Sequence, residues 1–301
     1  MLSAVASRPF GSVITAMVTP FTPDGAVDLG AAQTLAAWLV DQGCDGVLVN
    51  GTTGESSTTH SPEKADLVAV VHEAIGDRAT VLAGAGSNDT LHAIRMAEQA
   101  ADAGADGLLV VTPYYSRPSQ AGVAGHMEAV VDAGGLPAML YDVPGRTGVR
   151  IAPETYQRLA GHPLIVATKD ATGDVSAAAG LADSTGLAWY SGDDGLLLPF
   201  LAHGGAGIVS VATHAVAPHF REAVDAWDAG DHGAALAAVR RALPAVAALN
   251  GAGMQAVMAK AAAQALGQLG NRVMRSPLVA ASDQEAADVR AALLAAGCQM
   301  P

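Results

Sequence analysis

The sequence predicts an α/β fold, a (β/α)8 TIM barrel over residues 1–231 followed by a small C-terminal helical domain over residues 232–301. An internal repeat is the first observation. Asp41-Gln42-Gly43-Cys44-Asp45-Gly46-Val47-Leu48-Val49 returns as Asp102-Ala103-Gly104-Ala105-Asp106-Gly107-Leu108-Leu109-Val110. Each copy reads as a helix end, a glycine stop and a strand, because glycine takes the left-handed position beyond a helix and the apolar run suits a strand buried on both faces. The second observation is the number of such runs. They fall near Val13 to Val18, Val47 to Asn50, Thr80 to Ala83, Leu108 to Val111, Ala138 to Tyr141, Leu164 to Lys169, Ala188 to Ser191 and Gly207 to Val211. Most are separated by helical text, which favours a closed barrel over a doubly wound sheet. Third, after about Gly230 the strands stop. Alanine-rich helical stretches follow, Gly233 to Leu249, Met254 to Leu269 and Ser282 to Ala296, with turns marked by Gly270 and Pro277.

Composition narrows the function classes. Half of the 301 residues are hydrophobic, enough for a large core. A net charge of −13 and sixteen unclustered basic residues argue against nucleic acid, whose phosphates need clustered Lys and Arg. The acidic balance is spread over solvated helix faces. Cys44 and Cys298 form no CxxC pair or metal knuckle and are too few for a disulfide scaffold, so a reducing, cytoplasmic setting is expected. Met1 to Phe10 lacks the apolar run of a leader, and later apolar runs break well before about 18 residues, so no membrane span is expected.

In a barrel of this type the active site is built at the carboxyl ends of the strands. Polar groups collect there. The second strand runs into Asn50-Gly51-Thr52-Thr53-Gly54-Glu55-Ser56, the fourth into Thr112-Pro113-Tyr114-Tyr115 and the fifth into Tyr141-Asp142-Val143-Pro144-Gly145-Arg146-Thr147-Gly148. The sixth ends at Lys169-Asp170 and the seventh at Ser191-Gly192-Asp193-Asp194. Lys169 is one of three lysines and closes an apolar run. By position alone it reads as a strand-end lysine reaching water or pairing with Asp170. Buried, it has another use: desolvation lowers an amine's pKa, to roughly 6 in documented cases, and leaves a Schiff-base nucleophile. Taken singly, Tyr141 is a core aromatic, Arg146 a surface arginine and the Gly51 to Gly54 segment a tight turn. Asp193 and Asp194 have no accompanying HExxH, Cys/His or EF-hand spacing, so they read as structural and no metal is expected. His214 and His219 flank what reads as a loop at Pro218, and both are expected in surface or supporting positions.

From about Gly11 to Val211, these motifs in this order resemble the pyruvate-dependent class I lyase and aldolase family. The resemblance implies that Lys169 forms a covalent imine with pyruvate, with no metal or organic cofactor. It gives Thr52, Tyr141 and Tyr115 a proton relay, Tyr115 reaching across a tight dimer interface into a partner subunit. Thr53, with the backbone amides of its turn, would hold the pyruvate carboxylate, and Arg146 the carboxylate of L-aspartate 4-semialdehyde. Gly192 and Val209 would lend backbone beside the site. Sugar-acid members of the family tend to lack an arginine at the Arg146 position. The resemblance further implies a homotetramer, built as a dimer of dimers, serving diaminopimelate and lysine biosynthesis. Lysine-inhibited members bind the effector near the positions of Ser56, Ser57, Ser61, Lys64, Asn88, His92 and Tyr114. Here Lys64 replaces a histidine and His92 a glutamate, so repulsion of a cationic effector and weak or absent feedback are expected. Gly251 to Lys260 also departs from the family's Asn-Pro-rich helix opening.

Overall fold

Strands and helices alternate through most of the computed structural model, which describes residues 7–251 and 253–301. β1 (Val13–Ala16) leads to α1 (Leu29–Asp41), β2 (Gly46–Val49) to α2 (Ser61–Ile75), β3 (Thr80–Gly84) to α3 (Thr90–Asp102) and β4 (Gly107–Val111) to α4 (Gln120–Gly134). β5 (Ala138–Asp142) is followed by the single turn α5 (Pro144–Thr147) and by α6 (Pro153–Ala160). β6 (Ile165–Asp170) precedes α7 (Val175–Thr185), β7 (Ala188–Ser191) precedes α8 (Leu197–Ala202), and β8 (Gly207–Ser210) precedes α9 (Thr213–Asp228). Each strand coincides with one of the apolar runs. The repeat also behaves as read: Gly43 and Gly104 follow α1 and α3 with φ of 96° and 92°, a conformation that favours glycine.

All neighbouring strands are parallel, and β1 pairs with β8, so the sheet closes into a barrel with no free edge. Side chains alternate across the sheet. Leu82, Met139, Tyr141, Tyr190 and Val209 fill the interior, while a larger apolar layer joins the strands to the helices. Tyr141, Lys169 and Tyr190 sit side by side on β5, β6 and β7. That row depends on an irregularity. The β5–β6 pairing runs Ala138 to Ile165 and then Met139 to Ala167, skipping Val166. Without the extra residue Thr168 would oppose Tyr141, and Lys169 would turn towards the helices.

Asp170 points the other way. Its Oδ2 accepts the Trp189 indole N–H at 2.9 Å and its Oδ1 the Thr172 amide at 2.7 Å. The pairing of Lys169 with Asp170, open on position alone, is thus excluded by the pleat.

The last part of the chain is helical, with α10 (His232–Gly251), α11 (Gln255–Ala265) and α12 (Asp283–Ala295). α10 packs on α9, and α12 on both α10 and α11. Ser282 and Glu285 close a capping box at the start of α12. No helix among the described residues is long and apolar enough to cross a membrane. The reading of Met1 to Phe10 falls, up to residue 6, outside the described residues.

One expectation is corrected. Pro218 lies inside α9, not in a loop, and the helix absorbs it by breaking at Val216 (φ −121°, ψ 25°). His214 is fully buried: its Nε2 accepts the Val18 amide at 3.1 Å and its Nδ1 pairs with Val211 O at 2.8 Å. Burial lowers its pKa to about 4, so it is a neutral bridge between α9 and the end of β1.

Candidate active site

A cavity of about 450 Å³ opens at the carboxyl end of the barrel, walled among others by Thr52, Tyr115, Tyr141, Arg146, Met254 and Leu278. Lys169 lies beneath the wall rather than in it. It is 6% exposed, and its Nζ sits 4.4 Å from the centroid of the Tyr141 ring. Burial pulls the lysine down to about 8, with Arg146 pushing the same way and Asp194 opposing. The Tyr141 phenol is pushed up to about 12 by burial, so it is held in its neutral form.

Gly192 makes the approach of β7 possible. A Cβ there would meet Lys169 Cε at 3.2 Å and Asp170 O at 3.0 Å, and the Gly192 amide donates to Asp170 O. Val209 is buried in the barrel interior with Tyr141. Thr52 is exposed to the cavity; Thr53, next to it, is buried and is not part of the cavity wall. The turn that carries both begins at Asn50 (φ 57°) and ends at Glu55 (φ 55°), two left-handed residues that are not glycine. Asn50 Nδ2 donates to Lys64 O, and Thr19 Oγ1 donates to Gly54 O, so the turn is tied at both ends.

Arg146 sits on α5 and reaches across the mouth. Its guanidinium donates to Gln255 Oε1 at 2.8 Å and contacts Met254 Sδ at 3.5 Å. From Gln255 a polar chain continues, since Gln255 Nε2 donates to Asn250 Oδ1 and Asn250 Nδ2 to Asp194 Oδ2 at 2.8 Å. Asp194 also accepts the Ala212 amide. It is thus structural, as read, and is also a charge felt by Lys169. Met254, Gln255 and Asn250 were not anticipated. Met254 and Gln255 had one sequence signal, the departure noted between Gly251 and Lys260; Asn250, just before it, had none.

Tyr115 is 90% exposed and left-handed (φ 72°), and Tyr114 is exposed beside it. Of the residues read as an effector pocket, Ser56, Ser57 and Tyr114 line the cavity, whereas Asn88 and His92 are exposed away from its wall. Lys64 requires correction. Its ammonium is not a free charge facing an effector: it is buried and donates to Ser56 O at 2.7 Å, Thr59 O at 2.8 Å and Thr59 Oγ1 at 2.6 Å. Among the described residues no three His, Cys, Asp or Glu side chains are grouped to hold a metal ion.

The profile of the Dihydrodipicolinate synthetase family matches residues 9–296. A 4-hydroxy-tetrahydrodipicolinate synthase 2 of Streptomyces coelicolor is 53% identical, over 97% of this chain and 97% of its own length. A 4-hydroxy-tetrahydrodipicolinate synthase of Bifidobacterium animalis subsp. lactis is 51% identical, over 96% of this chain and 95% of its own. The crystal structure of the DHDPS of Cyanidioschyzon merolae with lysine bound superposes with a TM-score of 0.92 at 41% identity, covering 97% of this chain and 99% of that one.

Proposed function

The chain belongs to the dihydrodipicolinate synthetase family, and from that membership we infer that it condenses pyruvate with L-aspartate 4-semialdehyde to give 4-hydroxy-tetrahydrodipicolinate. This reaction feeds diaminopimelate and lysine synthesis. The Lys169 amine attacks the keto carbon of pyruvate, and loss of water leaves an iminium. The iminium draws electrons from the methyl group, which loses a proton and becomes an enamine carbon. That carbon attacks the aldehyde, and the new alkoxide takes a proton from the relay. The semialdehyde's own amine then attacks the iminium carbon, the ring closes and Lys169 leaves with its proton restored. The iminium is the electron sink, so the scheme calls on no metal or organic cofactor.

One observation carries the residue assignments: a buried lysine 4.4 Å from a tyrosine ring, beneath a cavity that also holds Thr52 and Arg146. In this reading Tyr141, Thr52 and Tyr115 move protons, Thr53 and the turn amides face the pyruvate carboxylate, and Arg146 takes the second carboxylate with a planar fork. Gln255 holds that fork from behind. The exposed Tyr115 supports a role across a subunit interface; a cytoplasmic homotetramer built as a dimer of dimers is proposed from the family membership. Weak feedback by lysine is also proposed. It now rests on His92, since the Lys64 charge is spent on backbone carbonyls.

Borohydride reduction in the presence of pyruvate, followed by peptide mapping, tests the mechanism. A pyruvate adduct on Lys169 is expected, and none on Lys169→Ala. An adduct elsewhere, or no adduct in an active enzyme, overturns the assignment.

A further inference from the structure

Glu55 closes the Gly-Thr-Thr-Gly-Glu turn, and no step of the chemistry uses it. Its side chain is nevertheless completely buried against a lysine that is also buried, at 0% and 1% exposure. Lys260 Nζ, on α11, donates to Glu55 Oε1 at 2.6 Å and to Val273 O at 2.7 Å, and lies 4.0 Å from the Phe21 ring centroid. The other carboxylate oxygen, Oε2, accepts the Arg275 amide at 3.0 Å. Every charge in this cluster is therefore met by a partner.

Such a pair is a poor device for stability alone. Desolvation of two ions offsets much of their attraction, and an apolar pair of similar volume is often as stable. What an ion pair supplies is direction. Glu55 holds a left-handed backbone (φ 55°), strained for a side chain with a Cβ, and it ends the turn that presents Thr52 to the cavity. The segment after α11 makes further contacts with the residues that follow this turn. Arg275 Nη1 donates to Thr58 O at 2.9 Å, its guanidinium pairs with Glu63, and Pro277 and Leu278 form part of the cavity wall. Just beyond the turn Lys64 donates to Ser56 O and Thr59 O. The end of the turn and the residues that follow it are thus each held by a buried ammonium group, Lys260 at Glu55 and Lys64 at Ser56 and Thr59.

We propose that Lys260 and Glu55 are positioning residues, through which the C-terminal helical region holds the Thr52–Thr53 turn in the shape that receives pyruvate. The proposal rests on the roles given above to those two threonines. It assigns the C-terminal helices a part in the reaction, although they contribute no reacting group.

Lys260→Met, Glu55→Gln and the double variant K260M/E55Q test it, with trapping, steady-state kinetics and thermal melting measured on each full-length enzyme. Each single variant is expected to raise KM for pyruvate about tenfold and to lower kcat by less, since the turn is displaced while the lysine remains. Saturating pyruvate should still trap on Lys169. The double variant, with no unpaired buried charge, should regain much of the melting temperature but not the KM. A single variant that melts lower with unchanged KM overturns the proposal, as does a double variant whose KM recovers along with its melting. If the single variants do not fold, the KM of the double variant decides alone. A wild-type enzyme that turns over without a trappable adduct counts against the Schiff-base reading only, because the KM comparison still reports on the turn.

Discussion

Lys169 is half-way between an ordinary lysine and a free amine. With a pKa of about 8, only about a tenth of it is nucleophilic at pH 7. The rate constant for pyruvate capture, read as kcat/KM, should therefore climb about tenfold per pH unit below 8 and level off above it. A flat profile between about pH 6 and 9 would show that the amine is not rate-determining in capture. Arg146 enters this profile because its positive charge helps to depress the lysine. Arg146→Ala should shift the inflection upward and raise KM for the semialdehyde more than about tenfold, while pyruvate still traps on Lys169. The two effects separate its electrostatic role from its binding role. At this scale the sequence is readable where chemistry is local: a lysine, a tyrosine and a threonine pair each stand at a strand end. It is unreadable where the partner arrives from far along the chain. Gln255 behind Arg146 and Lys260 behind Glu55 lie on a helix that returns over the barrel mouth, and neither has a local signature. Lys64 shows a related limit, since a charge can be counted from sequence but the direction of its ammonium cannot.

The strands were legible because parallel strands buried on both faces are short, near-continuous apolar runs, most of them opened by a glycine or turn signal. The bulge at Val166 was not. It adds one residue to β6 with no Gly or Pro to mark it, yet it decides which face Lys169 takes. Pro218 misled in the opposite sense: a residue that normally stops a helix is tolerated in α9 because packing holds both sides of the break at Val216. Glycines make the element scale testable. A Cβ on Gly84, at the end of β3, would meet Asn50 O at 2.2 Å and Asn50 C at 2.8 Å, and these are backbone atoms that open the turn carrying Thr52 and Thr53. Gly84→Ala should therefore displace the turn and lower kcat/KM about tenfold or more, with a lower melting temperature. Gly180 is the contrast. It lies within α7 with nothing within 4 Å of an added Cβ, so Gly180→Ala should stabilise by about 0.5–1 kcal/mol in urea titration and leave the kinetics alone. Destabilisation at Gly180, or a silent change at Gly84, would contradict the packing described.

For the whole molecule, the three lysines of the chain act together. Lys64, Lys169 and Lys260 are all buried, and burial lowers each to about 8. The unfolded chain returns them to their ordinary value near 10.5. Between those limits the unfolded state holds protons that the folded state has released, so stability rises with pH, by at most about 1.4 kcal/mol per unit for each lysine. Below about 8 both states are protonated and this contribution is constant, at its least favourable. Buried thiols and tyrosines set the upper limit. Burial raises Cys44 to about 12 and also raises Cys298, Tyr141, Tyr156 and Tyr190, so the unfolded chain ionises first, the thiols from about 9 and the phenols from about 10, and stability falls. On the acid side groups of both signs act, of which two are instructive. His214, lowered to about 4, makes stability rise with pH up to its ordinary value, while Asp142, raised to about 6 by burial, makes it fall over much of the same range. Urea titrations in about 0.2 M salt, which screens the net charge of −13, should therefore give little change from about pH 7 to 8, a rise to a maximum between about 9 and 10, and a fall beyond it. Lys64→Met should flatten the rise by one proton's share without touching the active-site lysine. A maximum at or below pH 7 would mean that these ammonium groups meet more water in solution than their burial allows, and that the end of the turn carrying Thr52 and Thr53 is held more loosely than its hydrogen bonds describe.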